Sequence, residues 1–270
     1  MQKPIIDREL WILIEPLLPK PRPRNNKRRR RPRVSERVAL NGVLFVLHTG
    51  IRWNHLPTTL EFGSGATCWR RLDAWQKVGV WTRLRALLLD KLRESGELAL
   101  PYAAIDSSSV RAVGAGKNWA EPYGSRAPIE HHVLVDANGL PVSVNLGSEN
   151  CNDVTQLLPL VDAIAPIRGA RGRPMRKPKF IYGDRGYDSD AHRQRLRDRG
   201  IRPVIAWRRT EQGGGLGKFR WVVDRTHSWL HNFRRLCIRF DRRSDIHEAF
   251  LKLACSLVCW NTFKRAESAY

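Results

Sequence analysis

Apolar residues recur along this chain at two different periods, and the change falls between Ser95 and Pro101. Before that break the spacing is helical. DRELWILIEPLLP predicts a helix with Asp7 as its N-cap and a proline near its end. SERVALNGVLFVLHTGIRW predicts a second helix, capped by Ser35. HLPTTLEFGSG is a turn-rich connection. ATCWRRLDAWQKVGVWTRLRALLLDKLRESG then predicts two helices broken at Val78-Gly79-Val80.

Past the break, short β-favouring runs appear. YAAIDSSSV is a brief run that ends in polar residues. HHVLVDANGLPVSVNL holds two alternating runs joined by Asp136-Ala137-Asn138-Gly139, a strong hairpin signal. DVTQLLPLVDAIAPI returns to helical periodicity. KFIYGD is a short strand ending in an acid, SDAHRQRLRDRG a polar helix closed by Gly200, and IRPVIAW another strand. GGGLG is a loop lacking the glycine spacing of a dinucleotide site. RWVVDRTHSWLHNFRRL is an amphipathic helix, and LKLACSLVCW an apolar helical stretch that closes a core. Strand, hairpin, helix, strand, helix, strand, helix is an α/β pattern. The division that follows is a helical unit over 1–98 and an α/β unit over 99–270.

Charge changes what this pattern implies. The chain carries 48 Lys+Arg against 26 Asp+Glu, a formal net charge of +22. A surplus of that size is best tolerated beside a polyanion, and nucleic acid leads because bound Arg and Lys displace counterions from phosphates. The segment PKPRPRNNKRRRRPR (19–33) is proline-biased and basic. It reads as an arm that tracks phosphates, with Arg28, Arg29, Arg30 and Arg31 at its centre. Arg70 and Arg71 lie on a helix–turn–helix-like pair that is compatible with DNA contact. Arg220, Arg225, Arg234 and Arg235 belong to a basic face along the C-terminal helices that is expected to contact DNA, with Trp221 and Trp229 expected in the core. The five cysteines show no metal-ligand pairing; Cys255 and Cys259 fall on one helical face as core thiols, which fits a reducing cytoplasm. No leader and no membrane-spanning run is expected.

Two acids follow apolar β-like runs, Asp106 and Asp184, and a third, Asp224, sits on the amphipathic helix among arginines. The ends of strands in open α/β sheets are where sites form. Three carboxylates from separate elements can hold two divalent ions, which is the chemistry phosphodiester attack needs. The adjacent His131 and His132 point to opposite faces of a strand, so structural or DNA-proximal roles are preferred to a metal site.

Here the chain resembles a known family. AIDSSSVRAVGAGK, HHVLVDANGLPVSV, NDVTQLLPLVDAI, IYGDRGYDSDAHRQRLRDRGIRP and the long segment from RWVVDRTHSWL to LVCW look like a bacterial insertion-sequence transposase of the DDE superfamily, insertion-sequence family five. GIRWNHLP and SGATCWRRLDAWQKVGVW resemble that family's N-terminal helices, so the likeness covers nearly the whole chain. GDRGYDS and RWVVxRTxxWL are its most specific pieces. The resemblance implies a small all-α DNA-binding domain followed by a ribonuclease-H-like catalytic core, with two Mg²⁺ ions for which Mn²⁺ can substitute. By motif Asp106, Asp184 and Asp224 match the three metal-binding catalytic acids, and Arg220 an arginine on the third acid's helix. The implied activity is hydrolysis at the ends of an element, then joining of the freed 3′ hydroxyl to target double-stranded DNA by a homodimer on DNA.

Two positions depart from the family's pattern. The third acid is usually Glu and is Asp224 here; the residue seven positions on is usually Lys or Arg and is His231. The shorter acid motivates an alternative, a catalytically weakened remnant that binds DNA as a regulator. A junction-resolving nuclease is a third reading, which the basic N-terminal helices disfavour.

Overall fold

A computed structural model of the chain describes residues 6–20, 33–112, 128–148, 150–208 and 217–268. The centre of the basic arm, Arg28 to Arg31, and most of the glycine-rich loop lie outside the described residues.

The helices before the break form as their caps predict. α1 (Arg8–Ile14) starts at Asp7, whose carboxylate accepts from Leu10 N at 2.6 Å. α2 (Glu36–Thr49) starts at Ser35, and α3 (Gly65–Lys77) at Ser64. α4 (Val80–Glu94) follows Gly79, whose φ of 71° suits glycine and makes the break.

The sheet is mixed, in the order β3-β2-β1-β4-β5. β2 (Ile129–Asp136) runs antiparallel to both of its neighbours, β1 (Tyr102–Ala112) and β3 (Pro141–Ser148). β4 (Phe180–Gly183) is parallel to β1, and β5 (Arg202–Ile205) is parallel to β4. β1 is longer than its apolar run. Ser107, Ser108 and Ser109 continue the ladder opposite His132, His131 and Glu130, because backbone pairing needs a partner strand and not apolar side chains. Asp106 therefore sits inside a strand and not at its end.

α5 (Val154–Asp162) and α6 (Asp190–Asp198) cover one face of the sheet. α7 (Gly217–His231) and the long α9 (Ser244–Glu267) cover the other, linked through α8 (Arg234–Cys237) and the two-residue β6 (Ile238–Arg239) beside β1. α9 is buried on most of its surface, with Cys255 and Cys259 fully inside. It packs against α3 and α4 on one side and β3 on the other, so the N-terminal helices and the sheet share one apolar core. Trp260 Nε1 donates to Asp7 at 2.8 Å, so the α1 cap is also a tie to α9. No described helix is long and apolar enough to cross a membrane.

Three expectations are corrected. Arg235 is 2% exposed and pairs with Asp241 through its Nε and Nη2 at 3.0–3.2 Å. It also donates to Ile51 O at 2.8 Å and lies against Trp53, Phe240 and Phe250. Its charge is used to fasten the turn after α2 to the C-terminal helices, so Arg235 does not belong to a DNA-tracking face. Arg71 is not freely exposed: it turns inward to Glu36 at 3.2 Å. Trp221 is not a core residue; it is 51% exposed.

Removing one partner of a buried pair strands the other's charge. Asp241→Ala is expected to cost about 3–5 kcal/mol, read as a lower urea midpoint at unchanged slope. A loss under about 1 kcal/mol would show that Arg235 reaches water when unpaired.

Candidate active site

Asp106, Asp184 and Asp224 come from three elements. Asp106 lies on β1, opposite Val133, with its side chain on the sheet face that α7 covers. Asp184 follows β4 directly and caps a short 3₁₀ turn, accepting from Gly186 N at 2.8 Å. Asp224 is on α7, exposed, with no side-chain hydrogen bond or ion pair among the described residues.

The three act on one another electrostatically. Burial pushes the Asp106 carboxyl up to about 6, the nearby Arg220 guanidinium and the Ser107 N–H oppose that rise, and the charges of Asp184 and Asp224 add to it. Arg220 Nη2 stands 3.4 Å from Asp106 Oδ2. One arginine thus faces a half-buried acid that two further acids crowd. The ligand atoms of the three do not all lie within 4.8 Å of one another.

α7 is held over β1 and the hairpin by a small set of polar contacts. Gly139, with φ of 79°, completes the Asn-Gly turn predicted from sequence, and its carbonyl accepts from Thr226 Oγ1 at 2.6 Å. Arg225 donates to Asn138 O at 2.6 Å while lying over both Trp221 and Trp229. Asp136, buried at the turn, accepts from the N–H groups of Ala99, Asn138 and Leu140. One turn beyond Asp224, buried His227 sits beside Asp106; desolvation lowers its pKa to about 4, so it is neutral. His231, where the family has a cation, lies 3.2 Å from Ser108 Oγ on β1, and burial lowers its pKa too. Its place in the site is a hydrogen bond between α7 and β1 instead of a positive charge.

Of the remaining basic residues, Arg70 and Arg234 are exposed. Trp207 and Phe219 are also about half exposed.

Several residues of the site were not singled out from sequence. Asp153, before α5, approaches the same place from the other face of the sheet: its carboxylate and that of Asp184 both stand near the Cα of Gly186. Ser107 Oγ donates to Asp153 at 3.2 Å. Tyr187 is fully buried, and Asp153, Asp106 and Asp184 all add to the burial that raises its pKa. The available signal was the two-residue spacing of Glu130 and His132, which puts both on one strand face.

The comparisons with known proteins agree with this layout. Residues 6–85 match the family described as "Putative transposase of IS4/5 family (DUF4096)", and residues 100–259 match "Transposase DDE domain". A Burkholderia cepacia protein described as "Putative transposase for insertion sequence element IS402" is 59% identical over 160 residues, 57% of this chain and 76% of that protein. A second from Burkholderia cepacia, "Insertion element IS402 uncharacterized 16.2 kDa protein", is 57% identical over 130 residues, 48% of this chain and 88% of that protein. Among solved structures, "Crystal structure of the Mos1 Strand Transfer Complex" aligns with 87% of this chain and 81% of that one, at 14% identity and a TM-score of 0.28, too low to bear on the fold. Matched over its N-terminal helices and again from β1 into α9, the chain belongs to the IS4/5 family of transposases and carries their DDE domain.

Proposed function

We propose that this protein is an active transposase. It binds the terminal inverted repeats of its element, hydrolyses the ends and joins the freed 3′ hydroxyl to target DNA. Residues 99–270 act as a ribonuclease-H-like catalytic core and residues 1–98 as a helical DNA-binding unit. The observation that carries the proposal is geometric: Asp106 on β1, Asp184 directly after β4 and Asp224 on α7 come from three separate elements, with Asp184 and Asp224 near enough to act on Asp106 and Arg220 3.4 Å from it. Three acids close enough to act on Asp106, with one arginine among them, are a site short of positive charge.

The donor set fits hard divalent cations: three carboxylates, all oxygen ligands, on separate elements. Asp106, Asp184 and Asp224 would hold two Mg²⁺ ions, or Mn²⁺ in their place. Such ions supply neutralisation of the phosphoryl group, a deprotonated nucleophile and stabilisation of the leaving oxygen. The chain's own residues do the positioning. Arg220 draws Asp106 towards α7, and the Asp184 carboxylate is oriented by the Gly186 N–H. His231 and Ser108 hold α7 against β1. Arg234, Arg70 and the arm from Arg28 to Arg31 would take the phosphates of the duplex; Arg225, fixed to Asn138, contributes through the edge it shares with Trp221. Joining two ends calls for a homodimer on DNA, in the bacterial cytoplasm.

A DNA-binding remnant remains the second reading, because Asp is shorter than the family's Glu. The absence of an ion-pair partner for Asp224 among the described residues favours the ligand role over it.

The decisive experiment is cleavage of labelled inverted-repeat DNA with Mg²⁺ or Mn²⁺. Asp184→Ala is expected to abolish cutting and leave end binding nearly unchanged; equal loss of both would make Asp184 structural. No cleavage by the wild type, with end binding intact, sinks the enzyme reading. Asp224→Glu probes the missing methylene. With Asp224 exposed, the longer acid has room, and cleavage is expected to rise, by up to about a hundredfold. A marked fall would show that α7 is already set for the shorter side chain.

A further inference from the structure

A second group of ligand side chains lies on the opposite face of the sheet from the Asp106 side chain. Glu130 and His132 are two residues apart on β2 and share the face that α5 covers, and Asp153 stands just before α5. His132 Nε2 is 3.5 Å from Glu130 Oε2, and His132 Nδ1 is 4.0 Å from Asp153 Oδ1. Each of the three offers a ligand atom within 4.8 Å of the other two. His132 has no exposed surface, and neither of its ring nitrogens has a hydrogen-bond partner among the described residues. A fully buried imidazole with both nitrogens unbonded and a carboxylate beside each edge needs a cation or a proton. Desolvation lowers its pKa, which favours the neutral form that binds metals.

We propose that Glu130, His132 and Asp153 form a binding site for one transition-metal dication, Zn²⁺ or Mn²⁺, separate from the three aspartates. One imidazole and two carboxylates suit these ions better than Mg²⁺ or Ca²⁺, which take oxygen alone. Tetrahedral ligands at about 2.1 Å would be about 3.4 Å apart, so closure around the ion needs only small side-chain shifts. Ser107 already orients Asp153 by donating to Oδ2, which leaves Oδ1 towards His132. Gly147 opposite supplies the room: a Cβ there would overlap the His132 ring. The ion would join β2 to the start of α5. Through Ser107 and Gly186 it would also steady the backbone beside Asp106 and Asp184. The role is structural and positioning, and the proposal does not depend on DNA cleavage.

The test uses the full chain with Asp106→Asn, Asp184→Asn and Asp224→Asn combined, stripped with chelator, reloaded with Zn²⁺ and dialysed. Elemental analysis is expected to find one zinc per chain, lost when His132→Gln is added. Ser107→Ala is expected to keep the site and weaken it about 10- to 100-fold. No retained zinc in the triple variant overturns the proposal. So does equal retention with and without His132, which would place the metal on the exposed Cys151 or Cys237 thiols. Pulsed electron paramagnetic resonance of Mn²⁺ on the wild type gives an independent reading should the variants misfold. A directly bound imidazole nitrogen is expected in addition to oxygen, and a spectrum with oxygen alone rejects the site.

Discussion

Like charges must be brought together before a cation can use them, and the C-terminal half of this chain is organised around that repulsion. Two carboxylates about 5 Å apart repel by about 3 kcal/mol at an effective dielectric of 20. At Asp106 burial raises the pKa most, and the charges of both other acids add to that rise. The fold overcomes it by putting each acid on an element that other contacts already hold. β1 is paired on both sides, β4 lies between β1 and β5, and α7 is fastened at its middle and its end. Any one of these elements could shift to relieve the crowding if it were loose.

The fastening of α7 explains where much of the positive charge goes. Arg225 is fixed to the hairpin turn and lies over two tryptophans, Arg220 faces Asp106, and Arg235 is buried against Asp241. Arg239 is also buried and donates to backbone carbonyls of its own loop. A net charge of +22 therefore overstates what is free for a polyanion. The arginines left at the surface near α7, such as Arg234 and Arg242, are available because their neighbours serve the structure. An arginine next to an active-site helix is as much a bolt as a ligand for phosphate, and its burial separates the two roles.

Elements were legible in the sequence wherever a local rule governs them. Asp7, Ser35, Gly79 and the Asn138-Gly139 turn do what their types predict, because capping and positive φ are decided within a few residues. The β-run around Asp106 was underestimated, since the serines that extend it are held by β2, which is remote in sequence. Arg235 was misplaced for a related reason. Helical spacing marks a basic residue on a face but cannot say that Asp241, Trp53 and Phe250 converge on it. The three aspartates are matched by motif, since periodicity places an acid after a β-like run but assigns it no ligand. Glu130, His132 and Asp153 were invisible as a group because only the packing of α5 on the sheet brings Asp153 to the strand pair.

His231 shows how a departure from a family pattern can be absorbed. A lysine or arginine seven residues after the third acid would bring a positive charge to the end of α7. The imidazole instead reaches Ser108, two residues along β1 from Asp106, and burial keeps it neutral near neutral pH. The exchange gives up attraction to phosphate and gains a tie between the strand of the first acid and the helix of the third. That tie bears on the other departure. A carboxylate one methylene shorter depends more strongly on the position of its helix, because less side-chain reach remains to correct an error. Histidine at 231 limits how far α7 can move from β1, while the length of the acid at 224 sets the reach that remains.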